Sequence, residues 1–549
     1  MSAAAAPDPL ADLRAAVLAG AEAIGAEPAR LSTAPRLERA RRAGQGDYAS
    51  NAALLLAPAL GEPPRAIAER LGGALGSALG DSLAGLEVAG PGFLNLTMAD
   101  GWLRGATRAV LDAGARFGGG GATAVERILL EFVSANPTGP LVAASGRHAA
   151  YGDSLARILR HHGHSVSTEY YFNDAGSQVR RLGESVRARA RGEQVAPDGY
   201  QGDYVAALAQ SIPDAATGDV DAVAAAAVAL LLDSIKATLA RYGVHFDVFF
   251  SERTLHEGSP SELERALAQL ASSGHSYRSE GALWLRTTEF GDDKDRVLER
   301  RDGQPTYFAA DAAYMLNKRE RGFDRQLLPV GSDHHGYMAR LKAAFAALGG
   351  DPDLLEILIL QFVHLVEGRE RTAMSKRRGE FVTLDDLLDE IGVDATRYFM
   401  LQSSHERTLD LDLDLARSQS RENPVYYVQY AHARIASVLE RLGAQRVADA
   451  VAAEAHWDGE LHPSERALIM KLLALPEEVA EAAGGRAPHR IAAYAHELAQ
   501  EFTAFYRDCR VVGAEPAGVE SFRIALCVAS QTTLALVLGL LGVSAPSSM

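Results

Sequence analysis

The densest run of chemistry-bearing residues is RTAMSKRRGE, from Arg371 to Glu380. A basic loop carrying Met374, Ser375 and Lys376 suits closure over a triphosphate, because nucleotidyl transfer asks a protein mainly to align and neutralise charge. An ordinary basic surface loop is the plainer reading. Its position after a strand-like run and before FVTLDDLLDEIGVDATRYFML favours the first. Glu131, inside ILLEFV, is a carboxylate in a buried strand and needs a partner. That partner is a cationic ligand or an internal salt bridge. Tyr307 and Asp311 in PTYFAADAAY are four apart and share one helix face. A carboxylate beside a phenol can hold a guanidinium and its stem, while a packing Tyr and a capping Asp fit the same pattern. VGSDHHG reads as a strand end and a turn, with Gly331, Asp333 and His334 at a cleft edge. Two adjacent histidines and one aspartate are a weak metal set, and contact with a ribose or base suits them equally.

These residues need elements that bring them together. RILLEFV is a short apolar run suited to a parallel strand buried on both faces. The loop SANPTGPL follows, with Ser134, Asn136 and Gly139, and then a helix. Ligands of open α/β sheets bind beyond the carboxyl ends of strands, and free amides at a helix start attract anions. Ser145 is a candidate N-cap and Gly146 permits close approach of a ligand. A capped helix that binds nothing fits equally at this point. SVSTEYYFND completes a βαβ unit. FDVFFSE, GALWLRT, QLLPVGSDHHG and LEILILQFVHLV read as further strands, and DVDAVAAAAVALLLDSIKATLARYGV as a long helix.

Before this α/β part, residues 1–115 read as a small α+β unit, with GDYASNAALLLAPALG opening a helix capped by Asp47 or Ser50. FGGGGATA at 117–124 reads as a flexible joint. Beyond 421 four helical stretches predict an all-α C-terminal domain. In it Tyr426, Tyr427 and Tyr430 have the spacing of core residues.

The whole chain has 549 residues, 47% hydrophobic and 23% charged, which is ordinary for several soluble globular domains. Cys509 and Cys527 lack metal-ligand spacing, so neither a zinc site nor a disulfide scaffold is expected. The opening residues lack the basic-then-apolar pattern of a secretory signal, and LALVLGLLGV is too short an apolar run to span a bilayer. A cytoplasmic protein is expected. A net charge of −16 argues against non-specific nucleic-acid binding, although basic clusters at Arg36, Arg39, Arg41 and Arg42 and at Arg180 and Arg181 remain available.

In order along the chain, EFVSANPTGPL, EYYFNDAGSQV, TYFAADAAY, GSDHHGY, AMSKRRGEFVTLDDLLDEIGVDATRYF, NPVYYVQYAHARI and LLGVSAPSSM resemble a class I aminoacyl-tRNA synthetase of the arginyl-tRNA synthetase family. The resemblance implies a Rossmann-type parallel-sheet α/β catalytic domain over 116–420, with an insertion at about 180–300. It also implies a tRNA-contacting domain at 1–115 and a helical anticodon-binding domain at 421–549. The implied substrates are L-arginine, ATP with Mg²⁺ and tRNA(Arg). No protein-bound metal and no membrane are implied, and a cytoplasmic monomer is expected. By motif, Glu131, Asn136, Tyr307, Asp311 and His334 would bind arginine. Ser134, Gly139, Gly146, Gly331, Asp333, His334, Met374, Ser375 and Lys376 would bind ATP.

Two signatures depart from the family's pattern, at three positions. Its first signature, His-x-Gly-His, is here VAAS, with Val142 and Ser145 in the histidine places, and the second signature opens with Ala373 instead of lysine. Ser145 donates one hydrogen bond without charge. Arg147 and His148 fall in the first helical turn, and Lys376, Arg377, Arg378 and Mg²⁺ supply cations. Ser145, His148, Ser375 and Lys376 are therefore the candidate catalytic residues. The expectation is an active arginine–tRNA ligase in which helix amides and preorganised cations replace imidazole. The alternative is a non-catalytic paralogue that binds tRNA or arginine as a regulator.

Overall fold

The computed structural model describes residues 8–27, 35, 37–40, 45–368, 370–372, 382–453 and 457–549. At its centre, five parallel strands run in the spatial order Leu355–Leu360, Arg325–Gly331, Arg127–Glu131, Ser165–Phe172, Val248–Ser251. Numbered along the chain, that order is 5-4-1-2-3. It reverses between the first strand and the fourth, so a crevice opens at the carboxyl ends of Arg127–Glu131 and Arg325–Gly331. Ile128, Leu129 and Leu130 are all buried, as a strand covered on both faces requires. The helix Ala143–His162 covers one face through Ala149, Leu155, Ile158 and Leu159.

The stretch 180–300 is not one insertion, because the edge strand Val248–Ser251 lies inside it. Before that strand, helices Ser177–Ala190, Asp203–Ser211 and Val220–Arg241 close a small core of their own around Leu182, Val186, Val205 and Ala227. After it, helix Glu262–Ser272 opens with a Ser261–Glu264 capping box, and an antiparallel sheet runs in the order Arg296–Glu299, Ala282–Leu285, Ser276–Ser279.

In the N-terminal part an antiparallel sheet, ordered Leu37–Arg39, Tyr48–Ser50, Phe93–Met98, Leu83–Ala89, packs against helices Pro9–Ala23 and Pro64–Leu79. Residues 48–50 are a strand, and the N-cap position of helix Ala52–Leu60 is Asn51, whose side chain makes no capping bond, while the Ser50 hydroxyl accepts the Ala52 amide at 3.2 Å. Asp47 instead accepts the Met98 amide at 2.7 Å and the Arg466 guanidinium at 2.7 Å. The glycine run that reads as a loose joint is bonded along the end of the helix Ala143–His162: the Gly120 and Ala122 amides donate to the carbonyls of His161 and His162, both at 2.9 Å.

The C-terminal part is all helix among the described residues, with six helices where four were expected: Pro424–Leu442, Ala444–Ala453, Pro463–Leu473, Leu475–Gly484, His489–Asp508 and Ala517–Leu541. Pro476 at the start of Leu475–Gly484 divides one expected helix into two, because proline tolerates a first turn but not a helix interior. The late apolar run belongs to the 25-residue helix Ala517–Leu541, which is longer than the run itself. That helix and Val220–Arg241 are long and apolar enough to cross a membrane. Leu534, Val537, Leu538 and Leu541 are instead buried in the core of the protein. Both cysteines are free and buried.

Candidate active site

Strand Arg127–Glu131 delivers Glu131 to the crevice, and the chain then turns sharply. Val133 and Ser134 both have left-handed backbones, with φ of 66° and 43°. For a β-branched residue this conformation is strained, at a cost on the order of 1–3 kcal/mol, and it persists only where the surroundings enforce it. Here the enforcement is local. The Ser134 hydroxyl donates to Glu131 Oε1 at 2.9 Å and accepts the Tyr171 amide at 3.1 Å. Ser134 is thus tied to Glu131 rather than turned to a nucleotide. Glu131 in turn is paired with the buried ammonium of Lys318, so the internal salt bridge is the reading the structure adopts.

Helix Tyr307–Glu320 carries Asp311, Tyr314 and Lys318 into the same place, one face at helical spacing. Tyr314 stacks on Tyr171 at 4.6 Å and tilts against Phe250 at 4.7 Å, while Lys318 lies 4.2 Å above its ring. Next to this wall Glu169 takes the Arg321 guanidinium, at 2.9 Å from Nη2, and the Tyr314 hydroxyl. Burial pushes Glu169 up, but Arg321, Lys318 and Tyr314 outweigh it and hold the carboxyl below its usual value.

Among the described residues, two further carboxyls have phenols and no paired cation. Tyr171 donates to Glu252 at 2.6 Å, and Tyr337 donates to Asp311. Among the described residues neither acid forms an ion pair. Burial raises Glu252. Burial, then the charges of Glu252 and Glu131, push Asp311 up to about 7, against smaller opposing effects of Arg340 and Lys318. Among the described residues Asp311 and Glu252 are thus carboxyls without a paired cation, an arrangement that suits a planar cation with several N–H donors.

Sequence reasoning placed Tyr307 with Asp311, but Tyr307 is 66% exposed at the helix start, and the phenol on Asp311 is that of Tyr337. It missed Glu252, which ends the apolar run FDVFFS as Glu131 ends its own. A charge closing a buried strand was the available signal. Asn136 is exposed, and its amide donates to Gln178 at 3.2 Å. Gly331 ends its strand at the crevice.

The start of helix Ala143–His162 also differs from expectation. Ser145 is not the N-cap; Val142 is, in an extended conformation and bridged to Thr383. The Ala143 amide donates to the Val382 carbonyl at 3.0 Å and Leu384 donates back to Leu141 at 2.8 Å. Part of the helix N-terminus is thus satisfied by chain rather than left for an anion. Gly146 serves packing, because a Cβ there would stand 2.9 Å from Leu384 Cδ1. Arg147 is buried and donates to the carbonyls of Gln361 at 2.8 Å and Ser404 at 2.9 Å, so it does not face phosphate. Burial pulls its pKa down to about 10. His148 is half-buried in the second turn.

Met374, Ser375, Lys376, Arg377 and Arg378 lie outside the described residues, as do the side chains of Asp333 and His334. Their anchors are described: Glu370–Thr372 pairs with Val363–Glu367 on one side, and Val382–Leu384 is bonded to Leu141–Ala143 on the other. The described residue that follows the basic stretch, Val382, therefore lies beside the helix that opens at the crevice. Among the described residues, no three His, Cys, Asp or Glu side chains are grouped to hold a metal.

A reversing parallel sheet with a crevice between its first and fourth strands, walled by the acids of Glu131, Asp311 and Glu252, is the architecture of a class I aminoacyl-tRNA synthetase catalytic domain. Residues 209–416 match the catalytic domain of class I (R) tRNA synthetases, residues 11–98 the arginyl tRNA synthetase N terminal domain and residues 428–549 the DALR anticodon binding domain. The chain belongs to the arginyl-tRNA synthetase family. It is 47% identical over 561 aligned residues to the arginine–tRNA ligase of Frankia alni, covering 99% of this chain and 100% of that one. A proposed arginyl-tRNA synthetase from Campylobacter jejuni superposes with a TM-score of 0.75 at 33% identity, over 82% of this chain and 100% of that one. The Thermus thermophilus arginyl-tRNA synthetase shares the fold, with a TM-score of 0.77 at 24% identity over 98% and 100%.

Proposed function

We propose that this chain is an active arginine–tRNA ligase, in which an acidic pocket selects arginine and the flanking parts hold tRNA(Arg). The observation that carries the reading is the pair of half-buried Asp311 and buried Glu252, each beside a phenol with no paired cation among the described residues. An arginine side chain supplies the missing charge and five N–H donors. Glu131, held by Lys318 and Ser134, shapes the pocket and its field, and Tyr307, Asn136 and His334 take the rest of the amino acid.

In the first step an oxygen of the arginine α-carboxylate attacks the α-phosphorus of ATP, the bond to the β-phosphate oxygen breaks, and pyrophosphate leaves. In the second a ribose hydroxyl at the tRNA 3′ end attacks the adenylate carbonyl, its proton is lost, and AMP leaves. Neither step needs a covalent protein intermediate, so alignment and charge neutralisation carry the catalysis. Mg²⁺ accompanies ATP as part of the substrate. Lys376, with Ser375 and Met374, is the cation that the anchored basic stretch brings to the phosphates. Gly331 and Asp333 border the adenosine.

Residues 1–115 contact the tRNA body, 116–420 perform the chemistry and 421–549 take the anticodon. The last assignment is supported by a groove of about 500 Å³ lined by Arg441, Arg446, Tyr506 and Arg510. It adjoins a second groove of about 260 Å³ at Tyr430 and Arg434. Tyr430 is only half-buried, stacks on Tyr426 and lies 4.8 Å from the Arg434 guanidinium, so it is available to a base rather than sealed in the core. The protein acts as a monomer in the cytoplasm, without a membrane.

Arginine-dependent ATP–pyrophosphate exchange tests the reading. Exchange is expected with arginine and tRNA(Arg) together, and much less without tRNA. Equal rates without tRNA refute that dependence, and no exchange under either condition refutes the first step itself.

A further inference from the structure

The helices before strand Val248–Ser251 grip the loop that follows Glu131. The Tyr204 hydroxyl, on helix Asp203–Ser211, donates to the Thr138 carbonyl at 2.9 Å. A Cβ added to Gly139 would stand 3.3 Å from that hydroxyl and 3.4 Å from the ring carbon bearing it, so the loop backbone rests against the phenol. Gln178, on helix Ser177–Ala190, accepts from Asn136 at 3.2 Å. From the sheet side, the buried Tyr170 donates to the Ala135 carbonyl at 2.7 Å.

Two carbonyls of the loop SANPTGPL are therefore fixed by two phenols. In a planar trans peptide the N–H points opposite to the carbonyl. The amides of Asn136 and Gly139 consequently point away from Tyr170 and Tyr204, and neither has a hydrogen-bond partner among the described residues. Pro137 and Pro140, which follow them, have no N–H to offer, so the loop presents two isolated donors at a strand's carboxyl end.

We propose that Tyr204 is a positioning residue for the chemical step: it aims the Gly139 amide, as Tyr170 aims that of Asn136, at an anionic oxygen of the reactants. This rests on the reading of the site as an adenylate-forming centre and gives these helices a role in it. In a chain with Val142 and Ser145 at the signature positions, the aimed amides supply neutral donors that need no reorganisation as charge develops.

The test compares full-length Tyr204→Phe with Val205→Ala, which opens the core of the same helix without touching the loop. Arginine-dependent ATP–pyrophosphate exchange with saturating tRNA is measured, together with hydrogen–deuterium exchange of residues 132–141 with and without ATP or arginine. Tyr204→Phe is expected to lower kcat about tenfold with the tRNA KM unchanged. It should also remove ligand protection of 132–141, whereas Val205→Ala lowers Tm but keeps both. Protection lost for ATP alone identifies a phosphate oxygen as the target, and for arginine alone the carboxylate. Wild-type kcat and protection in Tyr204→Phe, or an equal kcat loss in Val205→Ala, overturn the proposal. If the wild-type protein fails to exchange pyrophosphate, the adenylate reading falls, and the protection measurement still decides whether Tyr204 aims the loop at a ligand.

Discussion

At the scale of single residues, the proposed selectivity lies in how the acids of the pocket are matched. Glu131 and Glu169 have Lys318 and Arg321. Asp311 and Glu252 have only phenols among the described residues. With Asp311 pushed up to about 7 by burial and by Glu252 and Glu131, the ligand-free pocket retains a proton that a guanidinium must displace. The sign follows directly: arginine prefers the ionised form, so its affinity rises with pH up to about 7 and then levels. The ligand-free fold shows the opposite trend. The unfolded carboxyl ionises near 3.8 and the folded one near 7, so this group's contribution to stability declines as pH rises between those values. Asp311→Asn is expected to abolish the pH dependence of the arginine KM between pH 6 and 8. It should also weaken arginine by about 3 kcal/mol, roughly a hundredfold, with the ATP KM unchanged. A variant that keeps the wild-type pH profile would remove Asp311 from the guanidinium. Glu131, Asp311 and Lys318 each lie on an element whose periodicity is plain in the sequence. Their pairing was not legible, because Glu131 and Lys318 are 187 residues apart along the chain and no spacing pattern links them.

At the scale of elements, the sequence foretold the strands and helices better than their ends. Continuous apolar runs gave the parallel strands, since burial on both faces leaves no alternation. The start of helix Ala143–His162 was misread at Ser145 because a serine is a good cap in isolation, whereas here the chain at Val382–Leu384 supplies the partner for the first turn. Arg147 was misread for a related reason. Residue type suggested phosphate, but the helix face turns it inward, where it gathers the carbonyls of Gln361, Phe362 and Ser404 and fixes the segment after strand Leu355–Leu360. Arg147→Met should therefore act on stability. Orphaning buried acceptors costs about 1–3 kcal/mol each, so a loss of about 3 kcal/mol in urea unfolding is expected. A stable variant with a raised KM for ATP would return Arg147 to the nucleotide.

At the scale of the whole molecule, the parts are joined through the helix that opens at the active site. The carbonyls at the end of helix Ala517–Leu541 are met from the catalytic part: Ser154 donates to Leu540 at 2.9 Å, Arg157 to Gly539 at 3.2 Å, and the buried Arg397 to Leu541 at 2.9 Å. Arg397 also reaches Asp153 and the Tyr242 carbonyl, which ties three elements at one guanidinium. Arg486 joins Glu356 at the sheet edge, and Arg466 joins Asp47 and Asp100 of the N-terminal part. The C-terminal part that holds the groove at Tyr430 is thus cross-linked to the catalytic part through the helix that opens at the crevice. The order of helices and strands was readable from periodicity. These cross-links were not, because an arginine bound to a carbonyl leaves no spacing pattern.

The central claim is that this scaffold charges tRNA although Val142 and Ser145 stand where the family has histidine. The most direct measurement is the transfer of labelled arginine to tRNA(Arg) by the purified protein, followed over many equivalents of tRNA per enzyme. The account predicts repeated turnover that depends on ATP and is specific for arginine. Tight tRNA binding with no arginyl-tRNA above background would contradict it and make the protein a binder instead of a ligase.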